Sequence, residues 1–246
     1  KKGWRRTTAQ TAYGTIRSFF RYNGIVFKGK TPKATVEKQI KLPSTEDLRK
    51  VWKAATFDEK VPLGLHRSTG WRPEDILAMT YGDIKDSLDH NESRIYIEKM
   101  TQKEDLPAAV FLTEETTDIV KIWLEKERKS GRKFDDDTKL LPYDYDNLLD
   151  HVVDAGKRVG VKLSPKYFRK WFRTKGTSVI DKEKIFRMAG WTLPSVGKNY
   201  QLPSKEDTLE EYRKIEHLLT FEPREGEGRE AQIQALTNFA VAQGLP

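Results

Sequence analysis

The chain has 246 residues, a hydrophobic fraction of 37%, a charged fraction of 33% and a net charge of +8 at neutral pH. That length holds one large domain or two small ones, and no run is apolar enough for a transmembrane helix, so an intracellular globular protein without a membrane partner is expected. The absence of Cys excludes disulfides and zinc–thiolate sites.

The charge is placed rather than spread. Residues 1–60 hold 15 of the 45 Lys+Arg but 5 of the 37 Asp+Glu, a net of +10, so the remainder sums to −2. Lys1 to Arg6 has no apolar core or cleavage site and reads as no signal peptide; without an initiator Met it points to a fragment of a longer chain. Helical spacing of Ala9, Ala12, Tyr13, Ile16, Phe19 and Phe20 predicts a helix over 7–22, stopped by Asn23-Gly24, with Arg17 and Arg21 as candidate DNA contacts. Residues 25–42 are Lys/Thr/Pro-rich and aperiodic, which predicts an extended linker and a domain boundary near 42. Ser44 with Asp47 then opens a capping-box helix over 45–55 carrying Leu48, Val51 and Trp52.

Further helices are predicted at 59–68 and 73–79, the latter with Pro73 in the first turn. Residues 94–98 alternate and are rich in β formers, and 108–112 are their expected partner across a polar turn from Lys99 to Asp105. Helices follow at 114–129 and 144–158, with a loop from Ser130 between them. Ser164-Pro165 launches a helix to about Lys175 within a second basic run over 161–180: Lys162, Lys166, Arg169, Lys170, Arg173 and Lys175. Short and long helices at 181–189 and 204–219 precede a Gly/Glu-rich link and a last apolar segment, 231–243. The fold class is mainly α with a small antiparallel β hairpin, in the order 1–24, linker 25–42, catalytic domain 43–220 and tail 221–246.

Several chemistries lack support. There is no Walker A pattern and no dinucleotide fingerprint. His66, His90, His151 and His217 have no ligand spacing, and Asp135-Asp136-Asp137 reads as a loop charge run, so no metal site is predicted. What remains is an ordered series of phosphate-binding groups. Arg72 starts a helix, with Asp75 three residues on, able to hold its guanidinium. Lys166 and Arg169 share a helix face, while Phe168, Trp171 and Phe172 supply its core side. Two basic runs with interleaved aromatics point to nucleic acid.

The series resembles the tyrosine recombinases, or phage-type integrases, over about residues 43–203. Their pattern is a Gly-x-Arg turn, a hairpin lysine, a His-x-x-Arg helix, and a Gly-His or Gly-Trp with a tyrosine nine residues later. Gly70-Trp71-Arg72, Lys99 ahead of Pro107, Lys166-Tyr167-Phe168-Arg169, and Gly190-Trp191 followed by Tyr200 match in order. Residues 1–24 look like the last helix of the family's DNA-clamping domain. A lysine at the histidine position is similar to integrases of archaeal viruses and plasmids, and a charge-rich chain with no Cys and three Met leans toward a thermophile.

The resemblance implies a site-specific recombinase that needs no cofactor or metal. Tyr200 is its nucleophile, Arg72 and Arg169 fork onto phosphate oxygens, Trp191 donates its indole N–H, and Lys99 is the general acid, with Lys103 competing. A free lysine keeps its proton to about pH 10.4, which makes it a poor base; Lys166 is therefore expected to act as a charge and hydrogen-bond donor. Lys103, Lys170 and Arg173 join the DNA contacts. The implied partners are double-stranded attachment sites and three further copies of the chain, with the tail a candidate for docking onto a neighbour. A type IB topoisomerase and a DNA-binding module that has lost its chemistry remain open alternatives.

Overall fold

A computed structural model describes residues 6–31, 42–192 and 202–222, with side chains described from residue 8. The chain divides into two compact units, residues 1–41 and 42–246. Tyr200 and the segment 231–243 lie outside the described residues.

The first unit holds α1 (Arg6–Tyr22). Gly24 takes a left-handed conformation, φ +71°, and the Ile25 amide bonds back to the Phe20 carbonyl at 2.8 Å. This is the left-handed helix stop that glycine favours. The first residues of the expected linker touch α1. Phe27 stacks on Phe20 at 5.4 Å and meets Tyr13 edge-on at 5.5 Å, and the Tyr13 hydroxyl donates to the Gly29 carbonyl. Ring contacts of Phe27 and the bond to Gly29 join this exposed stretch to α1. Arg17 and Arg21 are exposed.

The second unit is built around one buried helix. α2 (Thr45–Ala54) opens with the Ser44–Asp47 capping box. α3 (Phe57–Thr69) opens with a second, Thr56–Glu59, and nearly all of its side chains are buried. It packs against α6 (Glu114–Lys129), α7 (Tyr145–Lys157) and α8 (Pro165–Gly176). α4 (Pro73–Leu77) follows α3 directly. The hairpin pairs β1 (Tyr96–Met100) with β2 (Pro107–Phe111), antiparallel, with Lys99 opposite Ala108. α9 (Lys182–Met188) and α10 (Lys205–Leu219) cover β2. The fold class is mainly α with one small antiparallel sheet, as the pattern of elements indicated.

Two elements differ from expectation. α5 (Gly82–Asp89) was not foreseen, because only Ile84 and Leu88 mark its inner face. Its start is set from a distance: the Tyr81 and Gly82 amides donate to the carbonyls of Thr138 and Asp136 at 2.8 and 3.0 Å. The strand expected at 94–98 runs two residues later. The ladder extends to Met100 and closes with the Thr101 amide on the Leu106 carbonyl at 2.9 Å, which places Lys99 inside the strand. Lys99 looks like a turn residue in the sequence because it is charged, but in the strand its side chain is half-buried and paired with Asp83.

One cation is sealed in the core. Arg67 is fully buried, pairs with Glu115 at 2.7 Å, and packs against the rings of Trp52 and Phe221 at 4.1 and 4.5 Å. Glu115 also accepts the amides of Phe221 and Glu222, both at 3.2 Å, so the same carboxylate fastens the end of α10.

Candidate active site

The Gly70-Trp71-Arg72 turn is fixed before any ligand arrives. Gly70 sits at φ +63°, and a Cβ there would stand 2.7 Å from the Phe172 ring. Both the left-handed backbone and the close approach of α8 require glycine. The Trp71 indole donates to the Met188 carbonyl at 2.8 Å, tying the turn to the end of α9. Arg72 is thereby presented at the N-terminus of α4.

Asp75 does not hold the Arg72 guanidinium. One of its oxygens accepts the Arg72 backbone amide at 3.3 Å and the other the Gln102 amide at 2.7 Å, so it laces the turn to the hairpin. The guanidinium pairs instead with Glu104, through Nη2. Its Nη1 is buried without a hydrogen-bond partner.

α8 behaves as its pattern suggested. Phe168, Trp171 and Phe172 are buried, while Lys166, Arg169, Lys170 and Arg173 line a cleft of about 370 Å³ together with Arg72 and Trp191. Ser164 stands at the N-cap position but makes no side-chain cap bond; Pro165 occupies the first turn. Arg169 donates to the Gly70 carbonyl at 3.2 Å and lies over the Trp191 ring at 4.4 Å. Burial, with the Arg72 charge beside it, pulls its pKa down to about 9, so it stays cationic at neutral pH.

Trp191 is 7% exposed and packs edge-on to Phe186 at 5.0 Å. Gly190, at φ +59°, lets this segment lie against the hairpin; a Cβ there would meet the Thr101 side chain at 2.2 Å. The indole Nε1 has no partner among the described residues. Five cations and this indole thus share one wall with a single carboxylate, Glu104. Such a surface is made for a polyanion.

Lys99 is not on that wall. Its ammonium pairs with Asp83 of α5 at 2.6 Å. Lys103 is exposed in the β1–β2 turn, next to Glu104. Sequence reasoning missed Glu104 and Thr192. Thr192 donates its hydroxyl to Glu104 at 2.9 Å, and no local spacing links residues 32 and 88 positions apart. His66 has a core role: it stacks on Phe168 at 6.3 Å, and burial pushes its pKa down to about 4.

No protein-family profile matches the chain. It is 28% identical over 190 residues to tyrosine recombinase XerA of Saccharolobus solfataricus, a match covering 75% of this chain and 60% of that protein. The chain is similar to the tyrosine recombinases in sequence and in fold. It thus spans 60% of the length of that curated relative. The fold agrees. A crystal structure of XerA recombinase aligns with a TM-score of 0.51 at 18% identity, covering 89% of this chain and 77% of that one. The integrase of mycobacterium phage Brujita aligns with a TM-score of 0.55 at 16% identity, covering 96% and 78%. In this chain Arg72, Lys166, Arg169 and Trp191 converge on one cleft, Asp75 supports its rim, Lys99 stands apart, and no helix among the described residues is long and apolar enough to cross a membrane.

Proposed function

We propose that this chain carries the catalytic part of a site-specific DNA recombinase that integrates or excises a mobile element through a 3′-phosphotyrosine intermediate. The observation that carries the reading is the convergence of Arg72, Lys166, Arg169 and the unpartnered Trp191 indole on one cleft. Arg72 and Arg169 bind the non-bridging oxygens of the scissile phosphodiester and stabilise the pentacoordinate transition state. Trp191 supplies a further donor. Lys166, exposed at the first turn of α8, acts as a charge and hydrogen-bond donor.

Tyr200 follows Trp191 by nine residues, and its role rests on that spacing. Its phenol gives its proton to solvent water as its oxygen attacks phosphorus, the P–O5′ bond breaks, and the departing 5′ oxygen takes a proton from a general acid. Attack by a 5′-hydroxyl reverses the step, so bond energy is conserved without an external source. The geometry favours Lys103 over Lys99 as the acid: Lys103 shares the turn whose next residue touches Arg72, while Lys99 is engaged by Asp83. Lys170, Arg173, Arg17 and Arg21 supply sequence-independent, salt-dependent contacts to the duplex backbone. Four copies on two duplexes complete the assembly, as the family resemblance implies.

The test is a nicked suicide duplex carrying the attachment site. A covalent 3′ adduct that forms on the wild-type chain and vanishes in Tyr200→Phe supports the reading. Intact DNA binding without an adduct under any condition makes the chain a binding module. Plasmid relaxation without strand exchange makes it a topoisomerase. Lys103→Ala should slow adduct formation by on the order of 100-fold and Lys99→Ala by much less; the reverse order would return the acid role to Lys99.

A further inference from the structure

Glu104 occupies the place that the proposed reaction assigns to a phosphate. Its Oε1 binds the Arg72 guanidinium and its Oε2 accepts the Thr192 hydroxyl at 2.9 Å. It is the one carboxylate on a wall of five cations, and its side chain is 28% exposed. The Thr192 hydrogen bond, followed by the Arg72 charge, holds its carboxyl below the usual range, so it is anionic at neutral pH. A carboxylate and a phosphate present the same chemistry to a guanidinium fork, two oxygens in one plane, and cannot share it without like-charge repulsion.

We propose that Glu104 is a built-in occupant of the phosphate-binding cleft, which an incoming DNA phosphodiester must displace from Arg72. The proposal rests on the functional reading above and adds a gate to it. Its placement gives the displacement two consequences. Glu104 lies in the β1–β2 turn, directly after Lys103, so its release frees the turn that carries the proposed acid. Thr192 stands eight residues before Tyr200, so the same event removes the acceptor of the hydroxyl at the entry to the tyrosine segment. Phosphate binding is thereby linked to both ends of the reaction, acid and nucleophile. The pair is partly exposed, which keeps it weak enough to exchange. It contrasts with the Asp75 contacts to the Arg72 and Gln102 amides, which do not compete with phosphate because they use backbone donors.

The prediction is a gain of affinity on removing a side chain, which a merely structural contact would not produce. The probe is inorganic phosphate, titrated against the indole N–H resonance of Trp191, assigned by loss in Trp191→Phe. If the latch is closed about nine-tenths of the time, Glu104→Gln binds phosphate about tenfold more tightly than wild type. Glu104→Ala does the same, which guards against a residual amide contact. Thr192→Val, which removes one tether, gives a smaller gain of about threefold. Adding Arg72→Ala to Glu104→Gln abolishes the gain. An affinity equal to or below wild type in both Glu104 variants, with the Trp191 resonance still responding to phosphate, overturns the gate and leaves the phosphate site standing. No response of Trp191 in any variant overturns both.

Discussion

Two arginines five residues apart do opposite things. Arg67 is fully buried, faces Glu115 at 2.7 Å, and is covered on two adjacent sides by the rings of Trp52 and Phe221. Arg72 is 20% exposed and is matched by a carboxylate that is itself partly exposed. A sealed cation with its own counter-charge is a structural element, because no ligand can reach it. A cation in an open cleft among four others, with one exchangeable carboxylate between them, is held ready for an external anion. The turn at Gly70 separates the two environments, so a short stretch of backbone passes from core to site.

Loss of a cleft arginine should be the larger functional effect. Arg72→Ala and Arg169→Ala are each expected to slow covalent adduct formation by on the order of 100–1,000-fold, with little change in Tm. A comparable fall in Tm would erase the distinction from Arg67. Arg67→Ala should instead destabilise the fold by about 3–5 kcal/mol, since it leaves Glu115 buried and uncompensated; chemical denaturation measures it. A stable Arg67→Ala protein would show that the contact between Trp52 and Phe221, not the charge pair, holds the end of α10.

His66 gives a pH handle on the core side alone. Its pKa is depressed in the folded state, to about 4 from an ordinary 6.5. The unfolded chain therefore binds the extra proton first. Stability from this residue is complete above about pH 6.5 and is lost as pH falls toward 4, by on the order of 3 kcal/mol. His66→Leu should flatten that part of the stability profile, read from Tm between pH 7 and 4. An unchanged profile would show that His66 is not the group that titrates. Gly70→Ala tests the boundary itself. The left-handed backbone and the 2.7 Å approach to Phe172 should together cost about 1–3 kcal/mol, or about 2–4 °C of Tm per kcal/mol. Activity should fall further than stability, because Arg72 moves with the turn.

Much of the fold was legible. The Ser44–Asp47 box, the Pro73 and Pro165 first turns, and the apolar stripe of Phe168, Trp171 and Phe172 all rest on bonds and contacts three or four residues long. Periodicity reports such interactions directly. α5 was hidden because its start hangs on the carbonyls of Asp136 and Thr138. The convergence of Arg72, Lys166, Arg169 and Trp191 could be anticipated from their order along the chain, given a family pattern to match; the partners of those residues could not.

The sequence by itself determined the helices other than α5 and which side of α8 stays polar, since capping and amphipathic spacing act within a few residues. Only the tertiary structure decided that Asp75 serves backbone amides, that Lys99 turns to Asp83, and that Glu104 rather than Asp75 meets the Arg72 guanidinium. Those pairings join residues 16 to 32 positions apart. Charge attraction is indifferent to chain order, so which carboxylate meets which cation is chosen by where the backbone places them.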